Sequence, residues 1–102
     1  MTVKTLPYDV AATLRTAEEM AAYLEACIEE AGEDAAFIAK ALGDTARAQG
    51  MTEIARQSGV SRESLYKALS GERSPSFDTV IKVVSPLGLK LSAAVRDEAD
   101  VA

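Results

Sequence analysis

At 102 residues the chain is long enough for one modest hydrophobic core and too short for two. The absence of histidine and the single cysteine, Cys27, exclude an internal disulfide, a zinc site and histidine-based catalysis, so no cofactor or metal is expected. The net charge of −5 is unevenly spread: residues 1–46 hold three basic and nine acidic side chains, net −6, while residues 47–92 hold seven and four, net +3.

Residues 1–8 are β-tolerant and halted by Pro7, which predicts an extended arm, followed by a brief helical turn over 10–14 capped by Asp9. Thr16 and Glu19 then form a Thr-x-x-Glu capping box, the reciprocal arrangement that satisfies two free amides at a helix start. Behind it Met20, Tyr23, Leu24, Cys27, Ile28 and Ala31 recur at helical spacing as a buried stripe, with Cys27 as apolar filler. Glu18, Glu25, Glu29 and Glu30 fall elsewhere on this helix, either as a solvated face or as a docking face for a cationic partner.

Gly32 ends that helix and Asp34 caps the next, about Ala35 to Gln49, with Phe37, Ile38, Ala41, Leu42 and Thr45 inward. Gly43 lies inside it, as a weak point or as a close helix contact. Gly50 follows as the helix stop. Ser76 caps a later helix whose inward set is Phe77, Val80, Ile81 and Val84; Pro86 removes a backbone donor and distorts its last turn before Gly88. Residues 89–95 alternate weakly between apolar and polar side chains, which predicts a short strand that must pair with the arm or with another chain. Residues 96–102 are an acidic tail.

The stretch from Met51 to Gly71 organises the rest. It reads as two short helices separated by a tight turn. Thr52 is the cap expected for the first, Ala55 is small enough for a close crossing, and Gly59 supplies the left-handed turn. Ser61 caps the second helix, and Ile54, Val60, Leu65 and Leu69 share one buried seam. This is the pattern of a helix-turn-helix, whose second helix lies in the DNA major groove; the bland alternative is an ordinary helical hairpin. With the leucines inward, Arg62, Glu63, Tyr66 and Lys67 face outward. Arginine grips guanine, glutamate accepts from cytosine, and lysine reaches guanine or phosphate. Tyr66 either meets DNA or is half-buried against a neighbouring helix. The basic half of the chain supplies the local field that phosphate binding needs, whatever the total charge.

The segments Thr52-Glu-Ile-Ala-Arg-Gln-Ser-Gly-Val-Ser61 and Ser70-Gly71-x-x-x-Pro75-Ser76 resemble Xre/lambda-repressor-like helix-turn-helix domains. More narrowly, the chain is similar to the "addiction module antidote protein" family, the HigA-like antitoxins. That likeness rests on Leu42-Gly-Asp-Thr-Ala-Arg-Ala-Gln-Gly-Met51, Ser61-Arg-Glu-Ser-Leu-Tyr-Lys-Ala-Leu-Ser-Gly71, Pro75-Ser-Phe-Asp-Thr-Val80 and Leu87-Gly-Leu-Lys-Leu91. Pro86 interrupts a helix that relatives usually continue. The resemblance implies an all-α bundle of about five to six helices, a cytoplasmic antitoxin that binds a RelE/ParE-type toxin, and a homodimer that represses its own operon by binding operator DNA. Carried over, the DNA-binding role falls on Thr52, Ser61, Arg62, Glu63, Tyr66, Lys67 and Arg73, with Thr52 and Arg73 as backbone contacts. No motif assigns the toxin-binding residues; charge alone points to the acidic N-terminal half.

A stand-alone phage-type repressor and an adaptor without DNA binding are the competing readings, and no set of residues has catalytic spacing. No apolar run approaches the roughly 18 residues of a membrane span and no signal-peptide pattern opens the chain, so a cytoplasmic protein without membrane contact is expected.

Overall fold

A computed structural model describes residues 14–97. Five helices follow one another: α1 (Ala17–Ala31), α2 (Ala35–Gln49), α3 (Met51–Ser58), α4 (Arg62–Ala68) and α5 (Phe77–Val84). The fold is all-helical, as predicted, and among the described residues there is no strand. Of the expected arm and turn at the N-terminus, only Leu14 lies within the described residues; it is not helical and is buried.

Local chemistry starts four of these helices. Thr16 accepts from the Glu19 amide at 3.1 Å while Glu19 Oε1 accepts from the Thr16 amide at 3.1 Å, completing the capping box of α1. Asp34 accepts from the Phe37 amide at 3.1 Å, Ser61 from Ser64 at 3.0 Å and Ser76 from Thr79 at 3.1 Å. The start of α3 is different. Thr52 does not cap it: Gly50 both ends α2 and begins α3, with φ 110° and ψ 109°, and no side chain caps the new helix. The helix therefore begins at Met51, whose side chain is buried, and Thr52 stands exposed in its first turn. Only glycine takes such a backbone without strain.

The core gathers Leu14, Met20, Leu24, Cys27, Ala41, Leu42, Ala46, Met51, Ile54, Leu65, Leu69, Val83 and Leu87. Cys27 is a buried free thiol, filling space as expected. The apolar stripes of α1 and α2 are narrower than their spacing suggests. Ile28 and Phe37 are exposed, because the core is complete with Met20, Leu24 and Cys27 from one helix and small alanines with Leu42 from the other.

The largest revision concerns α5. Its sequence contains two overlapping i, i+3, i+4, i+7 stripes, Phe77/Val80/Ile81/Val84 and Val80/Val83/Val84/Leu87. The helix buries the second: Val83, Val84 and Leu87 are inside and Val80 packs on the core, leaving Phe77 68% and Ile81 49% exposed. The helix also ends at Val84, two residues before Pro86, and finishes in turns closed by Leu87 and Leu89 amides on the Val84 carbonyl, each 3.2 Å. Residues 89–97 carry no regular structure, so the expected strand does not form; a single strand without a neighbour leaves its backbone groups unpaired.

A polar strut ties α1 to α2. The Tyr23 hydroxyl donates to Asp44 Oδ2 at 2.8 Å, and Asp44 accepts from Arg47 at 2.7 Å through its other oxygen. Partial burial, then the hydrogen bond and charge of Asp44, push the Tyr23 pKa above its ordinary value of 10.0. A raised phenol pKa contributes stability that is present in full below pH 10.0 and is lost as pH rises beyond it. Wild-type protein is therefore expected to lose urea resistance more steeply than Tyr23→Phe above that pH, measured as the two midpoints on either side of it.

Candidate nucleic-acid interface

The pair α3 and α4 is joined by three residues whose bonds are all local. Gly59 adopts a left-handed conformation, φ 78° and ψ 11°, and its amide donates to the Ala55 carbonyl at 3.0 Å, closing α3. Ser58 Oγ donates to the same carbonyl at 3.2 Å and accepts from the Val60 amide at 3.3 Å. Val60 turns onto the core and Ser61 caps α4. The roll of α4 is then set by two leucines. Leu65 is 0% exposed and Leu69 is buried beside it, so every other long side chain of the helix points away.

All seven predicted site residues are on the surface. Arg62 and Tyr66, one turn apart, meet: the guanidinium lies 5.6 Å from the ring centroid and its Nη2 donates to the Tyr66 hydroxyl at 3.5 Å. Tyr66 is 42% exposed, so part of its ring faces solvent and the rest is covered. Glu63 and Lys67 occupy the next positions round the same helix. Thr52 on α3 and Arg73 in the loop after α4 stand on neighbouring elements and share no hydrogen bond or ion pair with the α4 set. Neither Lys67 nor Arg73 forms an ion pair among the described residues.

The only acid on α3, Glu53, is engaged by its own helix. It accepts from Arg56 and from Gln57, and the Arg56 hydrogen bond, followed by that of Gln57, holds its carboxyl below the usual carboxylate range. Arg56 is held correspondingly high by the same bond. Glu53 therefore stays ionised at neutral pH and is matched by the Arg56 guanidinium, a locally neutral pair on α3. Sequence reasoning passed over this pair and the Arg62–Tyr66 contact, although both sit at the i, i+3 and i, i+4 spacings that bring helical side chains together.

This geometry defines a small all-helical protein that presents a short, capped surface helix whose Arg62 and Lys67 form no ion pair among the described residues. Comparison narrows the class. Residues 4–95 match the family described as "Probable addiction module antidote protein", and the chain belongs to that family. Such a family implies, in general terms, a toxin as counterpart. The chain is also similar to an uncharacterized protein of Haemophilus influenzae, 47% identical over 90 residues that cover 88% of this chain and 91% of the relative. No solved structure gives a significant match. Among the described residues no helix is long and apolar enough to cross a membrane.

Proposed function

We propose that the protein is the antitoxin of a toxin–antitoxin module, that it neutralises a RelE/ParE-type toxin by direct binding, and that it represses its own operon in the cytoplasm as a sequence-specific DNA-binding dimer. The observation that carries the DNA half is α4: a capped helix anchored by Leu65 and Leu69, with Arg62, Glu63, Tyr66 and Lys67 turned outward behind a Gly59 turn. In this reading α3 and α4 form a helix-turn-helix and α4 enters the major groove. Arg62 reads guanine, Glu63 accepts from cytosine, Tyr66 supports the arginine from below, and Lys67 reaches guanine or phosphate. Ser61, Thr52 and Arg73 hold the backbone. One such helix covers few base pairs, so two copies read half-sites about 10 bp apart. The role requires no cofactor and no catalytic group.

The test is a titration of the protein against its own upstream DNA at several salt concentrations, with and without the product of the neighbouring gene. Specific binding that weakens steeply with salt, and that changes when the partner is added, is the expected result. Specific binding indifferent to any neighbour would instead describe a stand-alone repressor, and no specific binding an adaptor. Arg62→Ala is expected to weaken operator binding about tenfold, the size of one good base contact, while leaving toxin neutralisation unchanged. Simultaneous loss of both activities would contradict separate surfaces for the two partners.

A further inference from the structure

Helix α5 spends only one of its two apolar stripes on the core. Phe77 and Ile81, one turn apart, remain on the outside, and between the starts of α2 and α5 Phe77 borders an open groove of about 190 Å³. Ala35, Ile38, Ala39, Leu42, Pro75 and Val80 line the rest of that groove, so every side chain along it is apolar. Beside the two exposed side chains run Asp78 and Lys82, also one turn apart and bonded to each other at 3.0 Å. Two large apolar residues thus stand in water next to one acid and one base on a helix of eight residues.

We infer that this face of α5 takes a second copy of the chain, the two α5 helices crossing antiparallel about a two-fold axis. The charges select that occupant. In a two-fold contact residue i meets j and j meets i. An antiparallel crossing sets Phe77 against the partner's Ile81 and Asp78 against the partner's Lys82, twice over, with every charge opposite an unlike one. A parallel crossing would oppose Asp78 to Asp78 and Lys82 to Lys82. A polyanion or a uniformly basic protein would meet one attractive and one repulsive charge on this face, whereas a second copy meets two attractive pairs. The inference rests on the dimeric repressor reading and gives its dimer a specific surface on α5.

The experiment uses full-length protein without DNA. Asp78→Lys alone presents two cations to two cations across the axis, and Lys82→Asp alone presents two acids to two acids. Mixed, the two variants restore unlike charges at both contacts. Sedimentation equilibrium is expected to show a wild-type dimer, each single variant at least about tenfold weaker in self-association, and an equimolar mixture recovering as a heterodimer. Both variants should keep wild-type circular dichroism, since the exposed pair within one chain contributes little to folding. Ile81→Glu should give a folded monomer. A monomeric wild type, single variants that dimerise like wild type, or a mixture that stays monomeric would each overturn the assignment. A wild-type dimer indifferent to these changes would sink this face and leave the repressor reading standing. Absence of operator binding by wild type would sink the repressor reading and leave the association data to be judged alone.

Discussion

Leu65→Ala is expected to remove about 3 kcal/mol of stability, the middle of the range for emptying a fully enclosed leucine site. Leu65 is the inward anchor of α4 and belongs to the same cluster as Ile54, Leu69 and Val83. A helix of seven residues is far below the length at which helices hold themselves in water, so α4 depends on this anchor for its existence. Domains of this size have total stabilities of about 5–10 kcal/mol, so the loss is a large fraction of the whole. Urea unfolding followed by circular dichroism should show a much lower midpoint with unchanged slope, whereas Leu65→Met, which conserves volume, should cost about 1 kcal/mol. An unchanged midpoint in Leu65→Ala would mean that something other than the core holds α4 in place.

Gly43→Ala is expected to destabilise by about 2 kcal/mol, against the usual trend. In an open helix interior this replacement gains about 1 kcal/mol. Here a Cβ on Gly43 would stand 2.6 Å from the Leu69 carbonyl oxygen and 3.3 Å from the Leu69 Cβ. That oxygen belongs to the backbone, so relief requires moving the end of α4 and not merely one rotamer, and overpacking of this kind costs about 1–3 kcal/mol. The clash therefore outweighs the propensity gain. A thermal melt settles the sign: a raised Tm for Gly43→Ala would show that α4 retreats freely. On the proposed reading, operator binding should fall along with stability, because Leu69 closes the helix that carries Arg62 and Lys67.

Much of this was written locally. The caps at Thr16, Asp34, Ser61 and Ser76 depend on an oxygen and an amide three residues apart, and such pairs are readable wherever they occur. The outward set on α4 was equally legible, since two leucines four residues apart fix the roll of a short helix. The face of α5 was not. Apolar side chains surround most of it, so periodicity offers two stripes and only the shape of the space beneath decides between them. Nor could Gly43 be interpreted, because what makes it necessary is a carbonyl on a distant part of the chain. Thr52 misled for a different reason: it is a good cap, but Gly50 turns the chain so sharply that the helix has already begun. The surface that meets the toxin has no motif, and its position follows from neither caps nor periodicity.

The joint at Gly50 bears on how the molecule moves. One residue serves as the end of α2 and the beginning of α3, and the Gly50 amide and carbonyl are both spent, on Ala46 at 2.9 Å and on the Ile54 amide at 3.1 Å. No slack chain lies between the two helices to act as a hinge. Native-state hydrogen exchange should therefore report α2 and α3 opening as one cooperative unit, with shared protection factors, while the loop after α4 exchanges independently. A ligand that stiffens α2 should therefore stiffen α3 with it, since no slack residue lies between them to absorb the change.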